Sequence, residues 1–126
     1  MIGIGIDTVE VDRFRRALRT HPGIVDRLFT PAERAYGETA RDPTQRLAAR
    51  FAAKEAVMKA LGVGVGAFAF RDVEVVRAPS GAPSVALTGR AADLAAHRGV
   101  ISWRLSLTHT SLVAEAVAVA LGKGGS

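Results

Sequence analysis

Apolar residues recur at every second position near the start of the chain, where Ile2, Ile4 and Ile6 alternate with Gly3 and Gly5 up to Asp7. That period predicts a short strand over residues 2–7 that ends at Asp7. Its glycines leave room for another element to lie close to the backbone. The period then lengthens. Val11, Phe14 and Leu18, spaced i, i+3, i+7, predict a helix over 10–19 with Arg13, Arg15, Arg16 and Arg19 on its other faces. His21-Pro22-Gly23 stops it. Residues 24–29 read as a second short helix. Thr30-Pro31-Ala32-Glu33 opens a third, with proline in the first turn and a capping-box glutamate. Asp42-Pro43-Thr44-Gln45 signals the next start, with Asp42 as the cap and Gln45 as the box residue. Strong helix formers then run from residue 45 to Gly62.

The second half changes period. Residues 70–76 alternate as a strand, 78–83 form a turn and 84–87 pair back as a hairpin. A helix is predicted over 89–97, and a strand through Trp103, Leu105 and Leu107. A last strand spans 113–121, after Thr108-His109-Thr110. Helices followed by antiparallel strands give an α+β class, with helices packed on an antiparallel sheet. No repeat or internal linker appears, so residues 1–121 are read as a single domain and 122–126 as a flexible tail.

Composition narrows the function. With 126 residues, 48% hydrophobic and 23% charged, the chain suits one globular domain and not a disordered one. No apolar run reaches the ~18 residues a membrane span needs. No basic stretch precedes the apolar start, so no secretory leader is expected and a cytoplasmic location is. The lack of cysteine excludes disulfide scaffolds, thiolate zinc sites and thiol nucleophiles. Seventeen Lys+Arg against twelve Asp+Glu leave +5, a balance that attracts nucleic acid, phosphorylated ligands or an acidic protein.

The long helix carries the candidate chemistry. At ~100° per residue, Leu47, Phe51, Met58 and Leu61 share one apolar stripe, and Lys54 falls within it. Such a lysine either snorkels to solvent or meets a buried anion. Arg50 lies one turn back. Glu55 and Lys59 stand at i, i+4, which makes them either a helix-stabilising ion pair or the carboxylate and ammonium of a site. Three cations and a carboxylate on adjoining faces suit a phosphate bridged by a hard cation. Mg²⁺ commonly takes one or two carboxylates together with phosphates and waters, and Asp7 is the second carboxylate unless it only caps the next helix. His109, between two threonines, is either structural or placed to hold a phosphate. There is no P-loop, the third glycine of a dinucleotide fingerprint is missing, and no local motif supports a Ser-His-Asp triad.

Three blocks taken together resemble a known family. They are Gly3-Ile4-Gly5-Ile6-Asp7 with Val9-Glu10-Val11-Asp12-Arg13-Phe14, Arg50-Phe51-Ala52-Ala53-Lys54-Glu55-Ala56 with Lys59-Ala60, and Leu105-Ser106-Leu107-Thr108-His109-Thr110. In order and spacing they are similar to holo-[acyl-carrier-protein] synthase, the small type of 4′-phosphopantetheinyl transferase, over nearly the whole chain. The resemblance implies that fold. It also implies Mg²⁺-dependent transfer of the phosphopantetheine arm of coenzyme A to a serine of apo acyl carrier protein, in fatty acid or polyketide biosynthesis, with release of 3′,5′-ADP. It assigns the metal to Asp7 and Glu55, catalysis to Glu55 and Lys59, and the coenzyme A site to Arg50, Lys54, Lys59, His109 and Thr110. It assigns docking of the acidic carrier to Arg13 and Arg16. A homotrimer with sites between subunits is implied as well, so that Asp7 and Glu55 could meet across an interface. Val113 stands where several relatives have an aromatic residue.

Neither membrane nor nucleic acid is expected as a partner. A small nucleic-acid-binding protein would fit the charge, but aromatics are only 6% and no strand interleaves them with basic residues. A non-catalytic assembly domain, built from the Ala-rich helix and the Ala/Val strand, is the other alternative. Its melting temperature would ignore both magnesium and coenzyme A.

Overall fold

A computed structural model describes residues 1–124, so Gly125 and Ser126 of the expected tail lie outside the described residues. The elements run β1 (Gly3–Glu10), α1 (Val11–Thr20), α2 (Ile24–Leu28), α3 (Pro31–Glu38), α4 (Thr44–Ala60), a 3-10 turn (Phe70–Asp72), β2 (Val73–Arg77), β3 (Pro83–Leu87), α5 (Gly89–His97), β4 (Ser102–His109) and β5 (Val113–Leu121). Strands β1, β5 and β4 form one antiparallel sheet in that order, and β2 and β3 form a separate hairpin. Helices packed on antiparallel sheet confirm the α+β class.

Helix α4 lies across the inner face of the three-stranded sheet, and small residues let it sit close. A Cβ added at Gly3 would lie 1.9 Å from the Ala60 carbonyl oxygen, and one at Gly5 would lie 2.0 Å from that of Ala56. The partner strand β5 offers Ala114, Ala116, Ala118 and Ala120 to the same side, all buried. The room left by the β1 glycines is therefore filled by the chain's own helix.

That packing decides which face of β1 is inside. The glycines, Asp7 and Val9 face α4, whereas Ile4 and Ile6 face outward, 58% and 60% exposed. They pair with Val119 and Val117 to form an uncovered apolar strip on the outer side of the sheet. Strand β1 also continues past Asp7 to Glu10 and runs directly into α1, so Asp7 is a mid-strand residue and not a helix cap.

The predicted capping box at Thr30 and Glu33 is present in both halves. At α4 the signal works differently. Asp42 accepts the Thr44 N–H at 3.0 Å, and this bond leads the causes holding its carboxyl down to about 2. Gln45 does not close a box; it bonds His109 on β4. A row of rings, Phe14, Phe51 and Phe70, with centroids 5.4 and 5.5 Å apart, joins α1, α4 and the 3-10 turn.

Candidate active site

The inward turn of β1 and the tilt of α4 bring Asp7, Glu55 and Lys59 together within one chain. Lys59 Nζ donates to Asp7 Oδ1 and to the Ile6 carbonyl, each at 3.0 Å. Thus Lys59 pairs with the strand and not with Glu55 one helical turn away. The other Asp7 oxygen, Oδ2, is buried and has no hydrogen-bond partner among the described residues. Glu55 is pushed up to about 7, first by burial and then by the negative charge of Asp7, with Lys59 pulling the other way. Two carboxylates therefore crowd one spot, and a single ammonium on one side leaves the crowding unrelieved. A divalent cation with a vacant shell for phosphate oxygens fits such a donor set.

These carboxylates form one wall of a cavity of about 1010 Å³. Its apolar lining includes Phe14, Ile24, Leu28, Phe51, Phe68 and Phe70, and its rim carries Glu10, Arg13 and Arg27. Arg13 and Arg16 are both exposed on α1, but only Arg13 reaches the cavity. Arg15 points elsewhere and bridges Asp12 and Asp42. Phe14 and Phe51 were legible only as apolar stripe positions, and Arg27, Phe68 and Phe70 come from separate elements with no spacing signal, so the sequence pattern did not mark them as cavity lining.

Lys54, expected at the coenzyme A site, turns into the core of this chain. Its ammonium is fully buried and donates to Glu33 Oε1 at 2.8 Å, to the Phe70 carbonyl at 3.0 Å and to the Val73 carbonyl. All three donors of the ammonium are used, so none is left for a coenzyme A oxygen in this arrangement. Of the two fates open to a lysine on an apolar stripe, it takes the buried anion. Burial pulls its pKa down, and the Glu33 charge and hydrogen bond oppose that. Glu33 completes the node by accepting the Thr30 and Val75 N–H groups, both at 2.9 Å. Removing either partner of such a pair costs about 3–5 kcal/mol, because the other charge is stranded.

The remaining predicted residues lie apart from Asp7 and Glu55. His109 Nδ1 is 3.0 Å from Gln45 Oε1, in the first turn of α4. Gln45 and Glu55 are separated by ten residues, about 15 Å of helix. The Thr110 hydroxyl accepts the Leu112 and Val113 N–H groups and closes the β4–β5 turn. Arg50 is buried against the Tyr36 ring, on another flank of α4.

Comparison with known proteins is consistent across sequence and structure. Residues 3–120 match the family model described as the 4′-phosphopantetheinyl transferase superfamily. Holo-[acyl-carrier-protein] synthase of Moorella thermoacetica is 47% identical, covering 94% of this chain and 93% of the relative. That of Clavibacter sepedonicus is 49% identical, covering 97% of each. The solved holo-ACP-synthase of Plasmodium yoelii superposes with a TM-score of 0.86 at 29% identity, over 98% of this chain and 96% of that one. The Helicobacter pylori holo-[acyl-carrier-protein] synthase, solved in complex with coenzyme A, gives a TM-score of 0.81 at 31% identity, over 93% and 98%.

Proposed function

This chain belongs to the 4′-phosphopantetheinyl transferase superfamily, among its holo-[acyl-carrier-protein] synthases, and on that premise we propose that Asp7, Glu55 and Lys59 carry out its reaction. The enzyme moves the 4′-phosphopantetheine arm of coenzyme A to a serine of apo acyl carrier protein. The serine oxygen bonds to the β-phosphorus, the bridging phosphorus–oxygen bond breaks, and 3′,5′-ADP leaves. Transfers of this kind depend on positioning and on neutralising charge.

The crowding of Asp7 and Glu55, with Asp7 Oδ2 unpartnered and Glu55 raised to about 7, carries this reading. Asp7 and Glu55 would hold Mg²⁺, which when bound neutralises the diphosphate oxygens. Lys59, exposed enough to reach a ligand yet anchored on Asp7 and Ile6, stabilises the leaving phosphate by charge or by proton donation. Glu55, directly or through a water that it orients, takes the serine proton. Alanine at Glu55 or at Lys59 is expected to lower kcat by about 10²-fold or more while leaving the circular dichroism spectrum unchanged. Intact-mass detection of the transferred arm on an apo carrier gives the readout, and near-native turnover in either variant would defeat the assignment.

Arg13 and Arg16 dock the acidic carrier, with Arg13 at the rim of the cavity whose wall holds the carboxylates. Arg50, Lys59, His109 and Thr110 serve coenzyme A. Because Asp7 and Glu55 lie about 15 Å of helix from the His109 contact, a homotrimer in which one protomer supplies the carboxylates and its neighbour supplies His109 accounts for both halves. The uncovered Ile4, Ile6, Val117 and Val119 strip offers the apolar surface such an assembly requires. No helix among the described residues is long and apolar enough to cross a membrane, and a cytoplasmic site of action goes with the substrates.

A further inference from the structure

Gln45 stands where a capping-box residue belongs, yet it does no capping. Helix α4 has no side-chain hydrogen bond at its N-cap, and Asp42 accepts the Thr44 N–H instead. The Gln45 amide turns out of the helix. Its Oε1 lies 3.0 Å from Nδ1 of His109, a residue 64 positions away.

His109 ends β4, and its backbone is fixed on both sides. It faces Ala114 in the pairing with β5, and the Thr110 N–H next to it donates to the Val113 carbonyl at 2.8 Å. Its side chain is exposed, and an exposed ring otherwise moves among several rotamers. Gln45 removes that freedom. A carbonyl oxygen only accepts, so the bond requires the proton on Nδ1. The two ring nitrogens point away from each other. The same bond therefore turns Nε2 away from Gln45, and no hydrogen bond among the described residues engages it. A partner on one ring nitrogen sets what the other can do, as in histidines held for a ligand.

We infer that Gln45 is a positioning residue: it fixes the tautomer and the ring orientation of His109 and so presents Nε2 to coenzyme A. Gln45 itself touches no substrate. The ring is ordered before the substrate arrives, so less freedom is lost on binding. The contact stands on the geometry of this chain, whereas its use in binding coenzyme A rests on His109 serving that substrate.

NMR of the imidazole nitrogens in the ligand-free protein, at a pH where imidazole is neutral, tests the contact. The His109 signals are identified by their loss in His109→Asn. Wild type carries the proton on Nδ1. Gln45→Met, which keeps a long side chain and a good helix former, spreads the proton over both nitrogens. Gln45→Glu, which still accepts, keeps it on Nδ1. A proton on Nε2 in wild type, or a distribution that Gln45→Met leaves unchanged, overturns the inference. Steady-state kinetics test the consequence. Gln45→Met raises KM for coenzyme A about fivefold, with kcat and the KM for the carrier within about twofold of wild type. It adds nothing in a His109→Asn background. A fall in kcat, or a KM effect that persists without His109, marks a merely structural role and overturns the inference. A tautomer that shifts as expected, while His109→Asn leaves KM for coenzyme A unchanged, supports the contact and defeats only the assignment of His109 to coenzyme A.

Discussion

At the residue scale, two acidic side chains and one basic one, Asp7, Glu55 and Lys59, meet at a single spot. Glu55 has a folded pKa of about 7 against an ordinary 4.5, because burial and the Asp7 charge both oppose its ionisation. Linkage fixes the sign. A raised carboxyl pKa contributes stability that is fully present below about 4.5 and is lost as pH rises to about 7. The metal-free protein should therefore show a melting temperature that declines across that window, and Glu55→Gln should flatten the decline. Magnesium added above pH 7 should raise the melting temperature of wild type but not of Glu55→Gln. A pH profile identical in the two proteins would rule out Glu55 as the titrating group. The neighbouring residue shows how local the outcome is: Lys54 is one position from Glu55, yet it faces Glu33 in the core and serves the fold.

At the scale of elements, the contact between β1 and α4 positions Asp7, Glu55 and Lys59. Asp7 meets Glu55 and Lys59 only because Gly3 and Gly5 let the strand backbone lie against the helix backbone at Ala56 and Ala60. Gly5→Val should force the two apart. It is expected to destabilise by at least the 1–3 kcal/mol typical of overpacking, and to lower magnesium affinity in whatever fraction remains folded. Chemical denaturation with metal titration checks both, and a stable variant with native metal affinity would break the link. The predicted elements agree with the observed ones nearly throughout, because periodicity, proline and capping residues act over a few neighbours. The exceptions are informative. Strand β1 runs past Asp7 because pairing with β5 continues to Val113, and Gln45 leaves its box because His109 arrives from β4.

At the scale of the whole molecule two surfaces stand out, one apolar and one basic. The outer sheet face leaves Ile4 and Ile6 more than half exposed, an unusual state for isoleucine in a lone domain. Ile6→Glu should convert an assembled species to monomer in sedimentation, with a loss of transfer activity; an unchanged mass would remove this face from the interface. The α1 edge of the cavity is basic, and acyl carrier protein is acidic, so encounter should be steered and salt-sensitive. Arg13→Glu should raise KM for the carrier at least tenfold with a far smaller change for coenzyme A. Equal effects on the two substrates would argue against docking at that edge.

The chain's order of helices and strands, its basic balance and its three motif blocks were all determined by sequence, since each depends on residue type and short-range spacing. Alternation in β1 showed two faces but could not say which one is buried. Only the arrival of α4 against Gly3 and Gly5 decided that. The i, i+4 spacing of Glu55 and Lys59 suggested they pair with each other, and the strand supplied Asp7 instead. A lysine on an apolar stripe had two possible fates, and Glu33, 21 residues away, selected burial. In each case the deciding partner comes from a distant segment, so the energy that chooses between local alternatives exists only once those segments are packed together.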